Sequence, residues 1–151
     1  MKAGVRWSLT ALLLVGAWLF FWLWHPEWMS FQEQNQLFLW TTDYLLQRIS
    51  VAGGLADWLG EFVVQFFYVE WLGALLMALL MVLMQQAALM ALKSQPSNHK
   101  SQPSNLNSQI STLLSSLPLF FLWLLGDENV LVALPVAVVL VLAAGTLMRR
   151  T

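Results

Sequence analysis

Cysteine is absent from this chain of 151 residues, and charge is scarce. Without a thiol there can be no disulfide, no thiolate-bound zinc or iron–sulfur cluster, no cysteine nucleophile and no lipid-modified cysteine anchor. Lys, Arg, Asp and Glu make up only 10% of the residues and leave a net charge of −1, so no basic surface is available for nucleic acid. No Gly-rich phosphate loop, zinc motif or serine triad pattern is present either. What fills the chain instead is apolar: 59% hydrophobic residues, against roughly 45–50% in ordinary soluble domains. A soluble fold of this size could not hide so much apolar surface, and the solvent it implies is lipid.

Four stretches have the character of membrane spans. Residues 7–24, "WSLTALLLVGAWLFFWLW", carry no charge and follow Lys2 and Arg6. A signal peptide needs small residues near the end of its apolar run. That place is held by Phe20, Phe21, Trp22 and Trp24, so an uncleaved anchor stopped by Pro26 is expected. The second span is placed at 66–86, with "AALMAL" continuing its helix towards Lys93. The third, 110–125, contains Pro118, and the fourth is 130–148. "GDEN" at 126–129 joins the last two as a hairpin turn. The expected fold class is therefore all-α: a polytopic integral membrane protein, one module over 1–151.

Charge gives the threading, because cytoplasmic loops are enriched in Lys and Arg. With the N-terminus inside, Lys2, Arg6, Lys93, Lys100, Arg149 and Arg150 are cytoplasmic, and every acid lies outside. Arg48 alone breaks the pattern. Both termini are thus expected in the cytoplasm of a bacterial inner membrane, with residues 25–65 as an outer loop and 93–109 as an inside linker. The linker repeats "SQPSN" at 94–98 and 101–105, a flexible composition to which no chemistry attaches.

The outer loop reads as two amphipathic helices lying in the membrane interface. The first is expected over Phe31–Ile49, with Phe31, Leu37, Phe38, Tyr44, Leu45 and Ile49 on its apolar side and Gln32, Glu33, Gln36, Asp43, Gln47 and Arg48 away from it. Gly53–Gly54 marks a break. The second starts near Leu55, with Asp57, Glu61 and Gln65 as one polar stripe, and is expected to run directly into the second span. On the bland reading, Trp28, Trp40, Trp58 and Trp71 anchor the interface and the acids are hydrated. On the functional reading, Glu33, Asp43, Asp57 and Glu61 converge to hold a cation or to act as acid or base. Met77, Met81 and Met84 share a helix face, which is read as packing. Gln85 and Gln86 are read as interfacial amides. No cofactor or metal is implied.

Gln36, Leu37 and Phe38, the pair Asp43–Tyr44, the break Gly53–Gly54–Leu55, and Glu61–Phe62 with Gln65–Phe66 form a pattern. Over roughly the first 90 residues it resembles the N-terminal membrane module of a family of uncharacterised multi-pass membrane proteins of Bacteroidota. The resemblance implies relatives longer than this chain and supplies no activity.

Three functions compete. A non-catalytic membrane module would act by packing with itself or with other membrane subunits, or form the front of a larger membrane protein. An enzyme of lipid-linked sugar transfer would use Glu33 or Asp43 as base, with Asp57, Glu61 and Gln65 contacting substrate or cation; more than four spans would be needed, so the chain alone is not expected to be an enzyme. Transport ranks last, because the spans show no internal repeat or mid-membrane charge.

Overall fold

A computed structural model describes residues 3–93, 116–125, 127 and 130–148. Every regular element among them is helical. Helix α1 (Ala3–Leu19) widens into a π-turn over Phe20–Trp24 and stops at His25, whose φ of −130° and ψ of 43° leave the helical region. Pro26 then opens α2 (Pro26–Asn35) at a position where its missing N–H costs nothing. α3 (Thr42–Ile49) and α4 (Gly54–Val64) follow, then α5 (Glu70–Lys93), a helix α6 whose described part is 116–124, and α7 (Ala133–Met148).

Among the described residues, two helical segments are long and apolar enough to cross a membrane: Trp7–Trp24, ending in the π-turn, and Glu70–Leu92 in α5. α7 is apolar but has 16 residues. α1 lies along α5, and α7 lies against both α4 and α5. Trp18 Nε1 donates to the Trp71 carbonyl at 3.1 Å, and Gln86 Nε2 reaches Thr10 Oγ1 at 3.4 Å, so α1 and α5 are tied near both ends. Met77, Met81 and Met84 are fully buried on the inner face of α5 with Ala74, Ala78 and Ala88, which is packing as expected.

Four expectations are corrected. Residues 31–49 are not one helix: α2 ends at Asn35, and a non-helical segment, extended at Gln36 (φ −118°, ψ 113°) and again at Thr41, runs to the Thr41 N-cap of α3. Side chains two apart share a side of an extended segment. Phe38 and Trp40 accordingly both meet Trp58 and Phe62 on α4, with ring centroids 5.3–6.1 Å apart. Next, α4 does not run into the second span. A 3₁₀ turn over Gln65–Tyr68 and an extended Val69 intervene, so the span's helix starts at Glu70 rather than Phe66. Gln32 is buried instead of facing water. Trp28 is a core residue, not an interfacial anchor: it is buried, with its ring 5.8 Å from both Phe21 and Phe67.

Within the third expected span, 110–115 lie outside the described residues, as do the SQPSN repeats and the rest of 94–109, expected to be an inside linker.

Candidate functional site

The site grows from the glycine break. Gly53 has φ of +86°, a conformation that costs residues with a Cβ about 1–2 kcal/mol. A Cβ on Gly54 would stand 1.7 Å from the Arg48 carbonyl oxygen. Two glycines therefore let the chain double back closely enough for α4 to lie on α3. That brings the last turn of α3 to the middle of α4, where Glu61 is 8% exposed.

Arg48 forms an ion pair with Glu61. Its Nε and Nη2 donate to the Tyr44 hydroxyl at 3.1 and 2.9 Å, and that hydroxyl donates to Glu61 Oε2. The guanidinium also sits over the Tyr44 ring, 5.3 Å from its centroid. Tyr44 is oriented by Thr41, whose Oγ1 caps α3 by accepting from the Tyr44 amide. Burial, and then the hydrogen bond to Glu61, raise the Tyr44 phenol above its ordinary range. The Tyr44 hydroxyl, with the Glu61 and Asp57 charges behind it, holds the Arg48 guanidinium above its own ordinary value. Arg48, the exception to the charge sorting, is thus neutralised by Glu61.

This triad borders a polar cavity of about 400 Å³ lined by Asn35, Gln36, Arg48, Asp57, Glu61 and Ala133, with Leu37 and Leu131 as apolar walls. A chain of amides supports it. Gln32 Nε2 donates to the Val130 carbonyl at 3.3 Å, and Gln36 Nε2 donates to Gln32 Oε1 at 2.6 Å. Gln32 therefore ties α2 to the segment that leads into α7, and the Gln36 head at the cavity is held in one orientation. A larger cleft of about 750 Å³, mostly apolar, is lined by Phe20, His25, Leu122, Trp123, Leu124 and Asp127.

Of the residues singled out in the sequence, Asp57 and Glu61 come together at the cavity. Glu33 is half-buried on α2, Asp43 is exposed in the first turn of α3, and Gln65 is exposed beyond the end of α4. None of these three lines the cavity. Among the described residues no group of three or more His, Asp or Glu is placed to hold a metal ion. Sequence reasoning did not single out Tyr44, Arg48 or the amides Asn35 and Gln36 as site residues. The available signal was Arg48 itself, a lone base in an acidic loop that needed a partner.

No curated protein and no solved structure matches the chain. The sequence model of a family of unknown function, DUF6057, matches residues 3–151. The match covers nearly the whole chain, which belongs to that family.

Proposed function

We propose that this chain is a multi-pass inner-membrane module with four spans and both termini in the cytoplasm, acting through contacts within the membrane and at its outer face rather than by catalysis. The observation that carries this reading is the state of residues Trp7–Trp24: uncharged and strongly apolar, yet only 11% buried. A core helix of a soluble protein would be covered; here Leu12 is 70% and Leu23 68% exposed. Such surface requires lipid or protein around it. A cleaved leader would not be knitted into the rest, whereas this segment is hydrogen-bonded to α5 through Trp18 and Thr10 and contributes Ala17 and Phe21 to the core. Exposed apolar residues continue along α5 (Leu79, Leu83, Met90) and α7 (Val141, Leu147), so the band passes round several helices.

The test uses the natural absence of cysteine. Gln47→Cys and Thr151→Cys are each made in the otherwise thiol-free chain, and cells expressing them are treated with a membrane-impermeant maleimide. Labelling of Gln47→Cys in intact cells, with Thr151→Cys labelled only after permeabilisation, is the expected pattern. The reverse pattern, or recovery of the protein in the soluble fraction, would overturn the reading.

A further inference from the structure

We propose that the cavity beside the Tyr44–Arg48–Glu61 triad binds a phosphoethanolamine-type group, in which a primary ammonium lies a few bonds from a phosphate. Three features of the lining select it.

First, the amides offer acceptors. Asn35 Nδ2 donates to the Phe31 carbonyl at 2.8 Å, and Gln36 Nε2 donates to Gln32 Oε1, whose own amide is oriented by the Val130 carbonyl. Because each chain ends on a backbone carbonyl, the placement of nitrogen and oxygen in every head is set. Beside one remaining N–H each, Asn35 and Gln36 keep Oδ1 and Oε1 as acceptors for a ligand. The carboxylate of Asp57 adds two more acceptors to the same lining. This pole suits a cation with several N–H donors.

Second, Arg48 keeps one edge free. Its Nε and Nη2 are engaged by Tyr44 and Glu61, which leaves the hydrogens of Nη1 for an anionic oxygen. The first turn of α7 at Ala133 lies on the same cavity and contributes the positive end of its dipole. Glu61 cancels the charge of Arg48, so Asp57 leaves the lining with one net negative charge, which favours a ligand led by its ammonium.

Third, about 400 Å³ is at the small end of the usual range for ligand sites, roughly 300–1,000 Å³, and fits a headgroup rather than a whole lipid. A trimethylated ammonium has no N–H to give the acceptors, and an anionic headgroup meets Asp57 with the wrong sign. The ligand chemistry could come from an aminophospholipid in the outer leaflet or from a water-soluble phosphoethanolamine. The lipid source rests on the membrane reading above.

The full chain is purified in a mild detergent, and dissociation constants are measured for phosphatidylethanolamine, phosphatidylcholine and phosphatidylglycerol with identical acyl chains, and for phosphoethanolamine itself. Phosphatidylethanolamine is expected to bind about tenfold more tightly than the other two lipids, the scale of one charge-assisted hydrogen bond. Asp57→Asn and Asn35→Leu, neither at a fully buried position, are each expected to erase the preference while leaving the unfolding midpoint in place. Phosphoethanolamine competing as well as the lipid would support the site with a soluble source, and competition by the lipid alone would support it with a membrane source. Equal binding of the three lipids by the unaltered chain, with no binding of phosphoethanolamine, would overturn the proposal, as would a preference that survives both substitutions. Because binding is read on purified protein, it can succeed or fail independently of the cysteine-labelling result.

Discussion

Arg48 shares its donors between a phenol and a carboxylate, and the consequences of losing it depend on which partner stays behind. In Arg48→Leu the Glu61 carboxylate, 8% exposed, keeps only the Tyr44 hydroxyl. Stranding it is expected to cost about 2–3 kcal/mol, towards the lower end for broken buried pairs because the Arg48 side chain is itself 39% exposed. Thermal unfolding of Arg48→Leu, Glu61→Leu and the double variant tests this: the double variant should recover most of the loss, and three equal midpoints would refute the coupling. Tyr44 supplies an optical readout. The chain has two tyrosines, so in Tyr68→Phe the phenolate absorbance reports Tyr44 alone. Its midpoint is expected above 10.0, since burial and Glu61 favour the neutral phenol. The sign for stability follows: the contribution is complete below the ordinary value of 10.0 and is lost as pH rises through the higher folded value. Adding Glu61→Gln removes the carboxylate's share of the upward shift and leaves Arg48 pulling downward, so the Tyr44 midpoint should fall.

Among the elements, helix existence was legible and helix continuity was not. Long runs of Leu, Val, Met and Trp announce α1 and α5 because nothing else accommodates that many apolar side chains. Residues 31–49 misled because Phe31, Leu37, Phe38, Tyr44 and Ile49 satisfy a helical period well enough to conceal a six-residue non-helical insert. The physical signals were local: Thr41 is a good N-cap three residues before Tyr44, and Phe38 and Trp40 stand two apart. Trp28 and Gln32 misled for a different reason, since burial by a distant element, here Phe67 and Val130, leaves no trace in local sequence. Of the site, Asp57 and Glu61 were visible as an i, i+4 pair, whereas pairing across the glycine turn was not. The α4–α7 crossing gives the prediction at this scale. A Cβ on Gly60 would lie 2.7 Å from the Ala133 nitrogen and 2.9 Å from its Cα, both backbone atoms that cannot swing away. Gly60→Val is expected to lower stability by about 1–3 kcal/mol and to open the neighbouring cavity. Gly16→Ala is the control, because nothing lies within 4 Å of a Cβ there. It should be neutral or stabilising in the same unfolding assay.

For the whole molecule, the helices differ in length, and on the proposed membrane reading a bilayer has to reconcile them. The 18 residues from Trp7 to Trp24 extend about 27 Å, and the 24 residues of α5 about 36 Å. The 16 residues of α7 reach only about 24 Å. A hydrocarbon core is about 30 Å thick. A long helix adapts by tilting, but a short one cannot lengthen; it must thin the surrounding lipid or draw its flanking residues towards the interface. α7 is held on one side by α4 and on another by α5, and Gly60 clamps its first residue, so sliding along its axis is restricted. The proposed four-span arrangement should therefore match a bilayer thinner than average. Reconstituted into phosphatidylcholine of short and of long acyl chains, the protein is expected to unfold at the higher temperature in the thinner membrane. Extending α7 by three leucines after Leu147 should shift that preference towards the thicker one. If the extension changes nothing, α7 does not span, and the number of crossings must be revised to the two that length and composition support on their own.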